Sequence, residues 1–130
     1  MALNVGDQIP EQKVTPDKYL PHRYAGASGD FNPIHIDDEL AKAVGLPRNI
    51  LHGLYSMGLV AKANAAAADG NPRALKRLSV QMRGMGVPEA EIVVTGTVKS
   101  ADGNRVVIDT VAQQGDTTLI KNAEAELQLS

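Results

Sequence analysis

The chain has 130 residues, the length of one ordinary domain, and we expect a single domain over residues 1–130. Its formal net charge of −2 argues against general nucleic-acid binding, and the absence of cysteine excludes disulfides, cysteine nucleophiles and thiolate metal sites. The sequence has no basic segment followed by an apolar one at its start, and no apolar run long enough to span a membrane. A cytoplasmic protein is therefore expected.

The first third of the chain predicts two short helices. Residues 1–16 indicate an irregular or short-strand entry, and a helix is predicted from about Asp17 to Ala27, kinked or delayed by Pro21. A second helix is predicted after Asp37, which is a good N-cap residue. Gly45 should end that second helix.

Between these helices lies the segment SGDFNPIH, residues 28–35. On an ideal helix Asp30 and His35 would lie ~140° apart around the axis and would not share a face. Pro33 also opposes a continuing helix. We therefore predict a turn or loop that directs both side chains to one place, with Asn32 as a neutral donor and acceptor between them.

This segment has two interpretations. A carboxylate and an imidazole that converge on one water form an acid–base pair that works near neutral pH. Alternatively Asp30, Asn32 and Pro33 are ordinary turn residues, and Asp30 only caps the turn.

The longest predicted helix runs from Ile50 to Asp69 and is apolar on nearly every side, with Leu54 in its helically spaced apolar series. Such a helix is usually buried. His52 and Gly53 should lie near its start, where free N–H groups can stabilise a developing negative charge on oxygen. The alternative is that Gly53 only gives clearance for packing and that His52 is a core histidine with its hydrogen bonds satisfied.

The second half of the chain predicts four successive strands joined by short turns. They cover residues 75–84, 91–100, 104–114 and 117–129, with turn signals at 101–104 and 114–116. Helices followed by an antiparallel meander are typical of the α+β class. A curved sheet wrapped around the long helix would bury that helix.

Two further clusters give weaker signals. The sequence HIDD at 35–38 offers metal ligands, but no second cluster completes a site, and no metal is predicted. Basic residues gather before and within the first strand of the meander: Arg73, Lys76, Arg77 and Arg83. They could contact a phosphorylated cofactor or an acidic carrier protein, or they could protect a solvated strand edge.

The stretch YAGASGDFNPIHIDDELAKAVGL and the later ILHGLYSMGL resemble the MaoC-like hydratase/dehydratase family. The family pattern G-D-x-N-P-[I/L]-H is intact at residues 29–35. The resemblance implies a single hot-dog fold, in which an antiparallel sheet wraps a long central helix. It covers nearly the whole chain and favours the catalytic interpretation of the motif.

The resemblance also implies an activity, the reversible hydration of trans-2-enoyl thioesters to (3R)-3-hydroxyacyl thioesters without a cofactor. The substrate would be carried on CoA or on an acyl carrier protein. Asp30 and His35 would be the catalytic pair, Asn32 would support their geometry, and the Gly53 N–H would bind the thioester carbonyl. The candidate substrate-binding residues are His52, Tyr55, Ser56 and Arg83.

The family usually forms homodimers or larger homo-oligomers, which would cover the open sheet edge. An alternative is an acyl-thioester-binding subunit that is active only in a heterodimer with another hot-dog subunit. The sequence departs from its relatives after the long helix, where Gly84 replaces a common aromatic residue beside Arg83. The acyl pocket is therefore expected to differ in shape there.

Overall fold

The computed structural model describes residues 3–129, so residues 1–2 and 130 of the predicted domain lie outside the described range. Within that range the chain forms one sheet, four α-helices and one short 3-10 helix, Pro72–Ala74. In chain order the elements are β1 (Gln12–Val14), α1 (Leu20–Ser28), α2 (Pro33–Ile36), α3 (Asp38–Ala43), α4 (Gly53–Ala66), β2 (Leu75–Met82), β3 (Ile92–Asp102), β4 (Arg105–Gln114) and β5 (Thr117–Gln128).

The five strands pair antiparallel in the order β1-β3-β4-β5-β2. Buried and exposed residues alternate along β3, as expected for a sheet with one face on a core. Gly103 and Gly115 adopt positive φ angles of 60° and 58° in the two tight turns. Register shifts within the β3–β4, β4–β5 and β2–β5 pairs bend the sheet. The four predicted strands are confirmed, but the prediction that all four form one meander is wrong. Only β3, β4 and β5 follow one another in the sheet, because β2 pairs with β5 instead of β3.

Helix α4 packs across the concave face of the sheet and contacts β2, β3, β4 and β5. Val60 and Ala63 on this helix are fully buried, as is Ile108 on β4. Small side chains on α4 allow close approach to the sheet, which partly replaces the aromatic filler that the sequence lacks. The predicted α+β architecture, with a sheet around a central helix, is confirmed. No helix among the described residues combines the length and the apolar character needed to cross a membrane.

The long helix is shorter than the sequence predicts. It begins at Gly53 rather than Ile50 and ends at Ala66 rather than Asp69. The backbone N–H of Ile50 donates to the carbonyl of Ile34 at 3.0 Å, and the N–H of Leu51 donates to the carbonyl of Gly86 at 2.8 Å. These long-range bonds hold the residues before Gly53 in extended geometry. The prediction that Leu54 is buried is also wrong, because 64% of its surface is exposed.

The motif segment is not wholly a loop. Residues 30–32 are irregular, but Pro33–Ile36 form the single helical turn α2. Pro33 begins this turn instead of preventing it, because proline is well suited to the first helical position, where its missing N–H is not needed. The Asn32 side chain caps the turn by accepting the Ile34 N–H at 3.2 Å. The predicted N-cap at Asp37 is confirmed, and its side chain accepts the Leu40 N–H.

Candidate active site

Asp30 follows directly after the end of α1. Gly29 closes that helix with a positive φ of 80°, a conformation that favours glycine. The Asp30 N–H donates to Ser28 Oγ at 3.1 Å, and Asp30 Oδ1 accepts the Asn32 N–H at 3.2 Å. The carboxylate is therefore fixed by its neighbours while its side chain stays 52% exposed. Asn32 supports this geometry through its backbone as well as through its cap on α2.

His35 lies on α2 and is buried. Its Nδ1 is 2.9 Å from the carbonyl oxygen of Ile50, and its own carbonyl accepts the Asn49 side-chain N–H at 2.9 Å. A carbonyl oxygen only accepts, so Nδ1 of the neutral ring carries the proton. The lone pair of Nε2 then faces Asp30 Oδ2 at 3.7 Å.

This separation defines what the pair can do. Two atoms 3.7 Å apart are too distant for a direct hydrogen bond. One water between Asp30 Oδ2 and His35 Nε2 can donate an O–H to each of them. The geometry therefore suits the binding and deprotonation of a water molecule.

His52 connects both members of the pair. Its ring stacks on that of His35 with centroids 3.9 Å apart and planes 19° from parallel. Its Nε2 donates to the backbone carbonyl of Asp30 at 3.0 Å. The Tyr24 ring also packs against it, with centroids 4.7 Å apart, and its Nδ1 is buried without a partner among the described residues. His52 thus fixes Asp30 through the main chain and His35 through ring contact.

The side chains of Asp30, His35 and His52 are close enough to be considered as metal ligands, with their ligand atoms within 4.8 Å of one another. A metal ion lies near the plane of each imidazole that binds it. The planes of His35 and His52 are stacked 3.9 Å apart at their centroids, so one ion cannot lie in both planes. Without rotation of one ring, the three residues do not form a convergent ligand set.

Gly53 is the first residue of α4, and the His52 side chain makes no capping bond to the first turn of that helix. The N–H groups of this turn face the positive end of the helix dipole. A Cβ atom added at Gly53 would meet only the flexible end of Met82, with Sδ at 3.6 Å and Cε at 3.7 Å, which are ordinary contacts. Packing clearance therefore does not explain this glycine.

A cavity of about 140 Å³ lies beside His35 and the start of α4, and Asp30 is not among its lining residues. Met82 and Met85 stand at its rim, with 47% and 58% of their surfaces exposed. The lining residues are His35, Ile50, Leu51, Gly53, Ser56, Met82, Gly84, Met85, Gly86 and Leu119. The cavity therefore joins the imidazole and the helix N-terminus to an apolar interior.

The four predicted substrate-binding residues lie in different places. Ser56 is buried and lines the cavity, whereas His52 and Tyr55 do not line it. Tyr55 packs against Tyr24, and burial raises the pKa of its phenol, with the Asp17 carboxylate raising it further. The exposed Arg83 side chain donates to Gln81 Oε1 at 3.0 Å and does not line the cavity. A substrate contact by Arg83 stays a prediction.

The departure from relatives at Gly84 has a structural reason. A Cβ atom there would lie 2.5 Å from Thr117 Cγ2 and 2.6 Å from the Thr118 carbonyl oxygen. Only glycine fits so close to β5, so an aromatic residue is impossible without moving the strand.

Two of the basic residues predicted to contact a phosphorylated cofactor or a carrier protein, Lys76 and Arg77, line a separate cleft with Arg105 and Glu126. Arg105 and Arg77 both pair with Glu126 there.

Sequence reasoning missed the residues that support the pair from outside the motif. Ile50 contributes a backbone carbonyl, for which side-chain identity gives no signal. Asn49 is buried and donates to His35, and Met82 and Leu119 line the cavity from β2 and β5. In the sequence, the polar Asn49 directly before the apolar Ile50 and Leu51 is a signal that could have indicated this support.

Comparisons with known proteins agree on one family. The model of the MaoC like domain matches residues 5–122. The curated protein Enoyl-CoA hydratase 2, peroxisomal, from Arabidopsis thaliana is 33% identical over 111 residues, which are 85% of this chain and 34% of that protein. The chain thus spans about a third of the length of this relative.

Solved structures share the fold. A MaoC-like dehydratase superposes with a TM-score of 0.92 at 31% identity, over 98% of this chain and 41% of that one. An (R)-hydratase from A. caviae involved in PHA biosynthesis gives a TM-score of 0.87 at 19% identity, over 99% of this chain and 98% of that one. At that identity the second likeness concerns the fold alone, which is the hot-dog fold.

Proposed function

The chain belongs to the MaoC-like domain family, and from that premise we propose that it catalyses the reversible hydration of trans-2-enoyl thioesters to (3R)-3-hydroxyacyl thioesters. The relatives with names of hydratase or dehydratase support this reaction class. The substrate would be an acyl group carried on CoA or on an acyl carrier protein.

One observation carries the proposal. Asp30 Oδ2 and His35 Nε2 face each other at 3.7 Å, and His35 lines a cavity whose other lining residues are mostly apolar. A carboxylate and an imidazole that share one water form an acid–base pair for adding that water across a double bond. The third element is the start of α4, since Gly53 lines the same cavity.

The proposed reaction uses all three groups. The thioester carbonyl accepts a hydrogen bond from the Gly53 N–H, which stabilises the negative charge that develops on that oxygen. The water held by Asp30 and His35 loses a proton to the pair as its oxygen bonds to C3 of the substrate. The pair then returns one proton to C2, so the sum is one water added.

The reaction is redox-neutral, and its proton transfers need only these side chains. We therefore propose that the chain works without a metal or redox cofactor. Asn32 contributes by fixing the carboxylate and by capping α2, and His52 by fixing Asp30 and His35.

We further propose that the chain acts as a homodimer. Strand β2 lies at one edge of the sheet, and its outer side has no strand partner among the described residues. Leu54, Met82 and Met85 expose apolar surface near the cavity. The alternative is a subunit that needs a different hot-dog partner for activity, which the greater length of the Arabidopsis relative makes worth testing.

A hydration assay on the chain purified alone tests both ideas. Crotonyl-CoA should lose its enoyl-thioester absorbance, and chiral analysis should identify the (3R)-3-hydroxy product. Size-exclusion chromatography with mass measurement should give a dimer. An inactive monomer that gains activity with another hot-dog subunit would support the alternative, and a folded chain that is inactive in every combination would refute the hydratase proposal.

A further inference from the structure

The cavity limits the acyl group that the proposed site can accept. Its lining includes His35 and Gly53, beside which the reacting carbons would lie, and the apolar cluster of Leu51, Gly86 and Leu119, which we call the end wall. The acyl chain of a bound thioester therefore has to fit between these two groups of residues. The position of the reacting carbons rests on the proposed function.

The volume of the cavity sets the scale. At about 140 Å³ it resembles an engineered apolar protein cavity of about 150 Å³ that binds benzene, a molecule of six carbons. A trans-2-enoyl group of about four to six carbons fits such a volume. An eight- or ten-carbon group would have to displace part of the wall or leave its tail in water.

The end wall is firmly held. Leu51 and Leu119 are almost completely buried, so little space lies behind them. The Leu51 N–H donates to the Gly86 carbonyl at 2.8 Å, which joins two parts of the wall through the main chain. Buried interiors are close-packed, so a wall of this kind does not move outward without cost.

The segment that carries Gly86 is also tied to β5 on one side and to β4 on the other. The N–H groups of Arg83 and Gly84 donate to carbonyls of Leu119 and Thr118 at 2.9 and 2.8 Å. Beyond Gly86, the Gln114 side chain accepts the N–H of Val87 at 2.9 Å and donates to its carbonyl at 2.8 Å. These bonds fix the far wall, and with it the length of the cavity.

We infer that the site is specific for short straight acyl groups of about four to six carbons, and that Leu119 and Gly86 set the upper limit. A Cβ atom at Gly86 would lie 3.0 Å from Leu51 Cδ1 and 3.2 Å from Leu119 Cδ1, so it would occupy the end of the cavity. The absence of a side chain at Gly86 lengthens the cavity, whereas the large side chain of Leu119 shortens it.

The test measures binding as well as turnover. Saturated butyryl-, hexanoyl-, octanoyl- and decanoyl-CoA are titrated into the wild-type chain by calorimetry, which needs no reaction. Butyryl- or hexanoyl-CoA should bind at least ~10-fold more tightly than octanoyl-CoA, the effect expected of a methylene that does not fit an apolar pocket. Equal or tighter binding of octanoyl-CoA, or no acyl-CoA binding at all, overturns the inference.

Variants locate the limit. Leu119→Ala should raise the octanoyl-to-butyryl affinity ratio by ~10-fold, and Gly86→Ala should lower the hexanoyl-to-butyryl ratio. Leu127→Ala is the matched control, because Leu127 is a fully buried leucine on the same strand that does not line the cavity. It should lose stability like Leu119→Ala but keep the wild-type ratios. If Leu119→Ala and Leu127→Ala give the same ratios, Leu119 does not set the limit and the inference fails.

The same panel as trans-2-enoyl thioesters separates this inference from the proposed function. Ranked binding without turnover refutes the hydratase proposal and leaves the chain-length limit standing. Turnover that is equal for four-, six-, eight- and ten-carbon substrates refutes the limit and leaves the hydratase proposal standing.

Discussion

The imidazole rings of His35 and His52 stack with their centroids 3.9 Å apart and their planes within 19° of parallel. His52 also donates to the main-chain carbonyl of Asp30 at 3.0 Å. One buried histidine therefore touches both members of the proposed catalytic pair while it does not line the cavity.

Replacing His52 should reduce turnover rather than substrate affinity. His52→Phe keeps a ring for stacking but loses the donor to Asp30, and we expect kcat to fall by ~10-fold or more with KM little changed, because small displacements of reacting groups are costly. His52→Gln restores a donor and should recover part of the loss. Steady-state kinetics on both variants decide this. A raised KM with normal kcat would instead indicate direct substrate binding.

The proposed catalytic pair is tested by replacing each of its two residues. Asp30→Asn and His35→Ala should each lower kcat by ~10²–10⁴-fold, the usual range for a positioned acid or base. Circular dichroism should remain unchanged for Asp30→Asn, whose side chain is half exposed. The controls Asp102→Asn and His22→Ala change exposed residues of the same types and should keep wild-type activity. Near-normal activity in either site variant would contradict the assigned roles.

Gly53 can be tested without damage to the fold. Because an added Cβ meets only the end of Met82 at ordinary distances, Gly53→Ala should leave the free energy of unfolding unchanged or raise it by less than ~1 kcal/mol. The larger Gly53→Val should block the thioester oxygen and lower kcat by ~10²-fold, the scale of one lost oxyanion donor. Both kcat and kcat/KM should fall.

The control for this glycine lies on the same helix. An added Cβ at Gly58 meets no atom within 4 Å, so Gly58→Ala and Gly58→Val report the helix effect alone. Both should keep wild-type turnover. Normal kcat in a folded Gly53→Val protein would remove Gly53 from the site.

Low pH should weaken the hydrogen bond between Asp38 and Asn49, the residue whose side chain donates to the His35 carbonyl. The backbone N–H of Asn49 donates to Asp38 Oδ1 at 3.0 Å. This hydrogen bond is the main cause that lowers the pKa of Asp38 below its ordinary value of 3.8, and the hydrogen bond from Lys42 is the second cause. A depressed pKa in the folded state gives stability that is complete above 3.8 and is lost as the pH falls through the lower folded value. Asp38→Asn should therefore be less stable than wild type at pH 7, and the difference should shrink near pH 3.

Urea denaturation at both pH values measures this difference. Asp116→Asn, at an exposed turn position, is the control and should track wild type at both. A deficit in Asp38→Asn that stays constant down to pH 3 would show that the charge of Asp38 does not stabilise the loop.

Local patterns predicted those elements whose causes are local. Alternating apolar residues and tight turns determine β3, β4 and β5, so their positions were readable. The Asp37 cap was readable for the same reason, since its partner Leu40 is three residues away. The turn that brings Asp30 and His35 together was predicted from Pro33 and the spacing, whereas their catalytic role is implied by the family resemblance and stays a prediction.

The remaining differences have tertiary causes. Helix α4 starts late because the N–H groups of Ile50 and Leu51 are used by Ile34 and Gly86, which no local window includes. Arg83 donates to Gln81, and Leu54 faces outward. Residue spacing does not determine the backbone direction at these two sites, so neither orientation was predicted. The chain-length limit depends on walls from three separate segments.

The two histidines of the site are anchored to carbonyl oxygens, His35 to that of Ile50 and His52 to that of Asp30. Every amino acid has such a carbonyl, so the anchor at position 50 does not depend on which side chain stands there. Phe31, which lies inside the motif and is largely exposed, does not anchor either imidazole. The side chains at positions 50 and 31 can therefore change during evolution while the two imidazoles keep their orientation.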